Sequence, residues 1–378
     1  MRAAVKLLRE LVALPSVNPA FLPVGDSRAG EHRMADFLSA TAALGGLAVE
    51  FREVLLGRAN LLAHFSPSGP VRQRILLAPH MDTVGEPSMP DSMFQPRVIN
   101  GRLHGRGACD TKGSIAAMLT ALLAVVKSSS RPRHTAITFV ALIDEEHGQK
   151  GSRALVRQGF VADLAIVGEP TRLKVVTAHK GDLWLRLETS GKSAHGARPE
   201  LGRNAVHSMA QVVNILETDY AAMLRKRRHP VLGHPTVNVG SIRGGTQPNI
   251  VPDHCEISVD RRTIPGESEN AVRGEIRSLL NDHGLKARLV NTKEAPCVAL
   301  ETDHRMPLVR QLLVAARQHS PAGVDYFCDA AVLAAGGIPS VVFGPGDIAQ
   351  AHTADEWISL TSLERSVDIL KHFLLSMP

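Results

Sequence analysis

Three short apolar runs, each followed at once by polar side chains, constrain the fold more than any other feature of this sequence. The runs cover residues 75–78, 137–143 and 164–167. None alternates apolar with polar residues, as a strand with one solvated face would, so each is predicted to be a strand buried on both faces. A pattern of helical period over 115–126 separates the first two runs. The predicted fold class is therefore α/β, with a mostly parallel sheet flanked by helices.

The middle of the chain has a different pattern, which predicts an inserted domain. Leucines alternate with polar or amphipathic residues over 183–187, as in a strand with one buried face. A long helical pattern over 204–225 follows, and then two strand patterns, a second helix and a last strand. The order β-α-β-β-α-β is typical of a ferredoxin-like α+β domain. We predict a discontinuous larger domain, residues 1–179 and 293–378, interrupted by a small domain at 180–292.

Composition excludes several classes of protein. The 378 residues include 44% hydrophobic and 21% charged residues, which is ordinary for a globular chain of two or three domains. No run of about 18 apolar residues occurs, and the start of the chain lacks the apolar core of an export signal. We therefore predict a cytoplasmic protein that does not bind membranes. The four cysteines lie far apart, which favours reduced thiols and leaves any metal site to histidine and carboxylate ligands.

One dense basic cluster, Arg-Lys-Arg-Arg-His, lies at residues 225–229, although the net charge of the chain is only +6. The cluster ends a helical pattern and precedes Pro230, so we interpret it as a solvated helix C-terminus, where cations interact favourably with the helix dipole. Nucleic-acid binding is the alternative interpretation. Aromatic residues make up only 4% of the chain and do not interleave with the cluster, so we predict no nucleic-acid partner.

Polar residues that follow the apolar runs are the candidate site residues, because ligands of parallel α/β sheets bind outside the carboxyl ends of the strands. They are His80, Asp82, Asp110, Glu145, Glu146, Glu169 and His352. Asp110 lies in the glycine-rich loop 105–113, which matches neither of the nucleotide-binding patterns GxGxxG and GxxxxGK[ST]. Two histidines and several carboxylates instead suit a pair of zinc ions, which accept imidazole nitrogen and carboxylate oxygen.

The same residues offer the chemistry of a hydrolase. Zinc lowers the pKa of water that it binds, and a nearby carboxylate such as Glu145 could accept the proton. Asp82 comes two residues after His80 and points the same way at the strand end, so it could orient the imidazole. An isolated His-x-Asp triplet is usually a surface turn, and a run of acids is usually a solvated surface. The position of every fragment at a strand end favours the metal site.

In their order along the chain, these motifs resemble those of the co-catalytic zinc amidohydrolases. The matching segments are His80-Met-Asp82, Gly-Arg-Gly-Ala-Cys-Asp110-Thr-Lys-Gly, Asp-Glu145-Glu146, Val-Gly-Glu169-Pro, Ser-Ala-His195-Gly-Ala-Arg-Pro, Gly-Gly-Thr-Gln-Pro-Asn249 and Ala-His352-Thr. That family includes acetylornithine deacetylase, succinyl-diaminopimelate desuccinylase, aminoacylase and glutamate carboxypeptidase. The resemblance covers essentially the whole chain and is specific for the superfamily, although not for the substrate.

The resemblance implies a fold of the zinc exopeptidase type and two Zn²⁺ ions per subunit, with Co²⁺ or Mn²⁺ as alternatives. It implies that His80 and Glu169 hold one ion, that Glu146 and His352 hold the other, and that Asp110 bridges both.

Further roles follow from the same resemblance. Glu145 would be the general base. His195 would reach the active site of a partner subunit and help to hold the oxyanion, which implies a homodimer built through the inserted domain. Asn249 and Arg262 would contact the substrate, Arg262 by bidentate pairing with an α-carboxylate.

The resemblance points to hydrolysis of the amide bond of an N-acyl amino acid, with a deacetylase of the acetylornithine deacetylase type as the leading hypothesis. Cys109, in the glycine-rich loop, is slightly more similar to acetylornithine deacetylases and aminoacylases than to desuccinylases. Desuccinylase, carboxypeptidase and dipeptidase activities stay open as alternatives. A relative that serves only as a binding protein would lack a ligand or the base, and none is missing from this sequence.

Overall fold

The computed structural model describes residues 2–292 and 297–378. Its helices are α1 (Ala3–Val12), α2 (His32–Leu44), α3 (Lys112–Val126), α4 (Lys150–Arg157), α5 (Ala205–Ile215), α6 (Ala221–Arg225), α7 (Glu269–Asp282), α8 (Pro307–Ala315), α9 (Asp329–Ala335) and α10 (Leu360–Leu375). Its strands are β1 (Ala48–Leu55), β2 (Arg58–Phe65), β3 (Gln73–Ala78), β4 (Arg97–Ile99), β5 (Arg102–His104), β6 (Thr135–Ala141), β7 (Leu164–Val167), β8 (Val176–His179), β9 (Gly181–Ser190), β10 (Thr236–Gly244), β11 (His254–Thr263), β12 (Arg288–Asn291), β13 (Leu300–Glu301), β14 (Ala322–Val324), β15 (Ser340–Val342) and β16 (Trp357–Ser359).

The chain divides into two compact units. The first contains the residues up to Thr177 together with Thr302–Ala322 and Cys328–Pro378, and the second contains Ala178–Glu301 and Gly323–Phe327. Residues 178–179, residues 297–301 and the segment Gly323–Phe327, which were predicted to lie in the larger domain, therefore belong to the smaller unit. The predicted boundary between residues 292 and 293 adjoins residues 293–296, which lie outside the described residues.

A central sheet organises the first unit. Its strands lie in the order β1-β2-β6-β3-β7-β15, followed by β8. The strands β6, β3, β7 and β15 run parallel to one another, so the predicted parallel α/β core is confirmed. The hairpin of β1 and β2 adds two antiparallel pairings at one side, which the sequence analysis did not predict.

Helix α3 is the most deeply buried helix described in this unit. Its side chains Ile115, Met118, Leu119 and Leu122 have no exposed surface, and they belong to the same apolar core as residues of α1 and α10. Complete burial of each such side chain stabilises the fold by about 1.5–3 kcal/mol. This helix begins at Lys112, within the C-terminal end of the glycine-rich loop, so its packing also fixes where that loop ends.

The second unit has the predicted ferredoxin-like arrangement. Its sheet has the order β10-β11-β9-β12, and every pairing in it is antiparallel. Side chains of α5 and α7, among them Met209 and Ile276, share a core with Leu185 and Ile257 of the sheet. The helix predicted over 204–225 consists of α5, a π-helical turn at Leu216–Tyr220, and α6.

The basic cluster at 225–229 follows the end of α6, as predicted, but it is not uniformly solvated. Arg227 is half-buried, and its guanidinium pairs with Glu267 at 2.5 Å and with Glu275 at 2.8 Å. This arginine therefore has a structural role, because its charge is neutralised inside the second unit.

Within the described ranges, no helix is both long enough and apolar enough to cross a membrane. Cys109, Cys255 and Cys328 are buried thiols.

Candidate metal centre

Adjacent parallel strands bring the candidate residues of the first unit together. Strand β3 ends two residues before His80, and β7 ends two residues before Glu169. Strand β6 lies on the other side of β3, and it is followed by the acidic turn that carries Glu145 and Glu146. Because these strands are neighbours and run in one direction, their carboxyl ends deliver the side chains to one edge of the sheet.

The first ligand cluster consists of His80, Asp110 and Glu169, all of which are buried. The Nε2 atom of His80 lies 3.2 Å from Oδ1 of Asp110 and 3.7 Å from Oε1 of Glu169. One ligand atom from each residue lies within 4.8 Å of the others, so the three side chains could hold a metal ion.

The second cluster consists of Asp110, Glu146 and His352. The Nε2 atom of His352 lies 3.1 Å from Oε2 of Glu146 and 3.4 Å from Oδ2 of Asp110. The two carboxylate oxygens of Asp110 therefore face different clusters. His352 is the most open of these ligands, because 54% of its side chain is exposed.

Negative charge dominates this site. Burial raises the pKa of Glu169 well above its ordinary value, and the neighbouring carboxylate of Asp110 has the same effect. Burial and Asp110 also raise the pKa of Glu146. Hydrogen bonds to Asp110 and Glu146 raise the pKa of His352 to about 10. Burial opposes protonation of His80, but its contacts with Asp110 and with Asp82 nevertheless raise the pKa of His80 well above its ordinary value.

Two buried oxygens at the site, Oε1 of Glu146 and Oε1 of Glu169, have no hydrogen-bond partner in the described part of the chain. A buried carboxylate oxygen without a partner is costly, and a bound cation would satisfy it. The donor set of imidazole nitrogen and carboxylate oxygen is also one that zinc accepts. The residues therefore fit a pair of metal ions.

Asp82 contacts the imidazole of His80 more closely through its main-chain carbonyl than through its carboxylate, which was the group expected to orient the ring. The imidazole Nδ1 of His80 lies 2.9 Å from the main-chain carbonyl of Asp82, whereas the nearest oxygen of the Asp82 carboxylate is 3.5 Å away. A proton on Nδ1 that is donated to the carbonyl leaves the Nε2 lone pair for a ligand, which is the tautomer that a metal site needs.

The carboxylate of Asp82 instead holds the acidic turn. Its Oδ1 accepts the main-chain N–H of Glu145 at 3.0 Å, and its Oδ2 accepts that of Glu146 at 3.1 Å. Asp144, just before them, has a φ of 65°, a conformation that few residues other than glycine adopt. The two amide contacts fix the backbone of the adjacent pair, so the side chains of Glu145 and Glu146 leave it in defined directions.

Sequence reasoning missed the buried polar network behind this turn. The amide Nδ2 of Asn18 donates to Asp82 at 2.7 Å and to Asp144 at 3.0 Å. Arg58 pairs with Glu31 at 2.5 Å and with Asp144 at 3.3 Å. The only available signal was the position of Asn18 before Pro19, which marks a helix cap. The other members lie far apart in sequence with no common spacing.

Asp329 is a further buried acid that the sequence analysis did not identify. Its Oδ1 lies 2.5 Å from the hydroxyl oxygen of Ser152, and burial raises the pKa of Asp329 to about 7. Its negative charge also contributes to raising the pKa values of Glu145 and Glu169. It therefore belongs to the electrostatic environment of the first cluster, although it lies in neither cluster.

The second unit carries the remaining candidates, and two of them lie side by side. The main-chain N–H of Gly196 donates to the carbonyl of Asn249 at 2.7 Å, and His195 forms a β-bridge with Ile250. His195 is exposed, and its Nδ1 accepts the N–H of Ala197 at 3.1 Å. In the neutral imidazole, the proton is therefore on Nε2, which can act as a donor.

Arg262 is engaged within the same unit. Its Nε lies 3.0 Å from Oδ1 of Asp260, and its Nη2 donates to Oδ2 of the same residue at 3.1 Å. The Nε–Nη2 edge of the guanidinium is therefore paired with Asp260. The Nη1–Nη2 edge could pair with a further carboxylate.

Comparison with known proteins assigns the family. Residues 76–376 match peptidase family M20/M25/M40, and this span includes both ligand clusters, Glu145 and the candidates of the second unit. The chain belongs to this family. M20 proteins are metal-dependent, and this chain is a hydrolytic enzyme.

Among its M20 relatives is an acetylornithine deacetylase of Myxococcus xanthus, which is 32% identical over 352 residues that cover 89% of this chain and 90% of the relative. Two solved M20 structures share the fold of this chain. An aminopeptidase of Bacillus cereus superposes with a TM-score of 0.80 at 22% identity, and the alignment covers 99% of this chain and 97% of the aminopeptidase chain. A metallo-carboxypeptidase of Sulfolobus solfataricus has a TM-score of 0.76 at 18% identity and covers 99% of both chains.

Proposed function

We propose that this M20 enzyme uses two Zn²⁺ ions per subunit to hydrolyse the amide bond of an N-acyl amino acid, and that it is a deacetylase of the acetylornithine type. The observation that carries the proposal is the position of Asp110, whose two oxygens face two separate ligand clusters. Co²⁺ or Mn²⁺ would be substitutes with similar ligand preferences.

His80, Asp110 and Glu169 would hold one ion, and Asp110, Glu146 and His352 would hold the other. When bound, the ions would polarise the amide carbonyl and lower the pKa of the attacking water.

Glu145 is the proposed general base. Its carboxylate accepts a proton from the attacking water while the water oxygen bonds to the acyl carbon, and it then delivers that proton to the leaving nitrogen as the C–N bond breaks. Glu145 belongs to neither ligand cluster, whereas the adjacent Glu146 belongs to the second. This division supports separate roles for the two glutamates.

His195 is the proposed oxyanion donor, acting across a homodimer. Its Nδ1 is occupied by the N–H of Ala197, so Nε2 is available to donate a proton to the oxyanion of the tetrahedral intermediate. Asn249, whose main chain is bonded to this loop, would contact the substrate from the same side of the second unit. Arg262 would bind the α-carboxylate through its Nη1–Nη2 edge.

The dimer proposal predicts complementation between two inactive variants. In a mixed dimer of His195→Ala and Glu145→Ala subunits, one site of the two has both Glu145 and His195. Random exchange of equal amounts should therefore restore about a quarter of the wild-type specific activity. The measurement is the rate of substrate hydrolysis after the subunits are mixed and re-equilibrated. A fully active wild-type monomer would contradict the dimer proposal.

The substrate class is tested by release assays on three kinds of amide. The metal-loaded enzyme would be given N-acetylornithine, N-succinyl-diaminopimelate and dipeptides that end in glutamate, with Zn²⁺, Co²⁺ or Mn²⁺. We expect the N-acetyl amino acid to have the highest kcat/KM, in line with the 32% identical acetylornithine deacetylase. A preference for the succinyl substrate or for dipeptides would replace the proposed substrate. Failure to cleave any of them would contradict the proposed amidohydrolase of N-acyl amino acids.

A further inference from the structure

Glu356 is a buried acid close to the second cluster that the mechanism above does not use. It lies four residues after His352, directly before β16, and only 1% of its surface is exposed. Its carboxylate accepts four hydrogen bonds from a single loop of the first unit. The donors are Nη1 of Arg106 at 2.9 Å, N of Gly107 at 2.8 Å, N of Cys109 at 2.8 Å and N of Asp110 at 3.0 Å.

The loop that supplies these donors has no regular secondary structure to satisfy its amides. Gly105 and Gly107 have φ values of 147° and 80°, which side-chain-bearing residues rarely adopt. A β-carbon on Gly107 would also lie 2.8 Å from the side chain of Lys112. The resulting turn directs the N–H groups of Gly107, Cys109 and Asp110 towards one point, and such a concave arrangement favours an anion. Here the anion is a side chain of the protein itself.

The hydrogen bonds exclude Glu356 from direct metal binding. Oε1 accepts the N–H groups of Cys109 and Asp110, and Oε2 accepts those of Arg106 and Gly107. A carboxylate offers about four acceptor positions, and all four are used. Glu356 is also in neither ligand cluster.

Glu356 links two of the three segments that carry ligands of the second cluster, those of Asp110 and His352. Its side chain binds the N–H of Asp110, and its main-chain carbonyl accepts the N–H of Gly105 at 3.0 Å. Through the chain, it is four residues from His352, the most exposed ligand. The backbone of Asp110 and the segment of His352 are therefore held to one another at a fixed place.

We propose that Glu356 is a positioning residue, which sets the place of the shared ligand Asp110 and the segment of His352 before metal binds. This inference rests on the proposed two-metal function. Groups that orient metal ligands typically contribute a factor of about 10–100 in metal affinity or activity.

The test compares Glu356→Gln with Asp355→Asn. Gln has the same size, but its NH₂ group would face N–H donors of the loop, so two acceptor contacts are lost. Asp355 is adjacent, 83% exposed, and contacts the side chain of His104, so its variant removes one charge without touching the loop. Affinity for Zn²⁺ would be measured by competition with a chromogenic chelator. The visible spectrum of the Co²⁺-loaded protein would report the ligand geometry.

We expect Glu356→Gln to bind metal about 10–100-fold more weakly and to change the Co²⁺ spectrum, while Asp355→Asn behaves as wild type. Glu356→Asp, which keeps the charge but is one methylene shorter, should have an intermediate affinity for Zn²⁺. This variant replaces Glu356→Gln in the test if the Gln variant does not fold. Wild-type affinity and spectrum in a folded Glu356→Gln, or in Glu356→Asp when the Gln variant does not fold, would overturn the inference. If the wild-type protein itself bound no metal, the proposed function would fail instead.

Discussion

Replacing Glu145 by Gln is expected to lower kcat by about 10²–10⁴-fold while both metal ions stay bound, because the substitution keeps the size of the side chain and removes its basic group. The backbone of this residue is held by Asp82, and Glu145 lies in neither ligand cluster. The measurements are steady-state kinetics and the metal content of the purified variant. Wild-type kcat in this variant would exclude Glu145 as the base.

Glu146→Gln is the matched control, since it makes the same chemical change one residue further along the chain. Its carboxylate lies 3.1 Å from His352, so this variant should lose occupancy of one ion. Excess Zn²⁺ or Co²⁺ should restore part of its activity. If Glu145→Gln loses metal and Glu146→Gln keeps both ions, the two roles are exchanged.

Asp110→Asn is expected to weaken both metal sites at once, by more than about 100-fold each, since that factor is the upper end for groups that merely orient ligands. The reason is geometric, because Oδ1 lies 3.2 Å from His80 and Oδ2 lies 3.4 Å from His352. An amide has no charge, and only its oxygen can bind a metal ion. Competition titrations with a chelator would measure both affinities, with Asp355→Asn as the charge control. Loss of only one ion would show that the carboxylate is not shared.

The parallel core, and the placement of candidate residues at the ends of its strands, could be predicted because their signals are local. The apolar run 164–167 coincides with β7, and the run 75–78 forms the buried part of β3. A buried strand needs apolar side chains on both faces, and the sequence shows this directly. The end of each strand then specifies which polar residues can meet, so His80 and Glu169 could be placed at one edge without knowledge of the tertiary structure.

The polar contacts that support the ligands could not be predicted. Glu356 and Arg58 are charged residues, and charged residues are expected at the surface unless a partner distant in sequence buries them. The partners of Glu356 lie about 250 positions earlier in the chain. The small sheet of β4, β5 and β16 escaped prediction for a similar reason, because each strand has only three residues and β16 pairs with a distant segment.

Anomalous diffraction from crystals grown with Zn²⁺ would show whether two ions share Asp110. We expect two anomalous peaks, one on either side of the Asp110 carboxylate. One peak should lie in contact with His80 and Glu169, and the other with Glu146 and His352. A single peak at saturating Zn²⁺, or peaks that make no contact with Asp110, would contradict the proposed two-metal site.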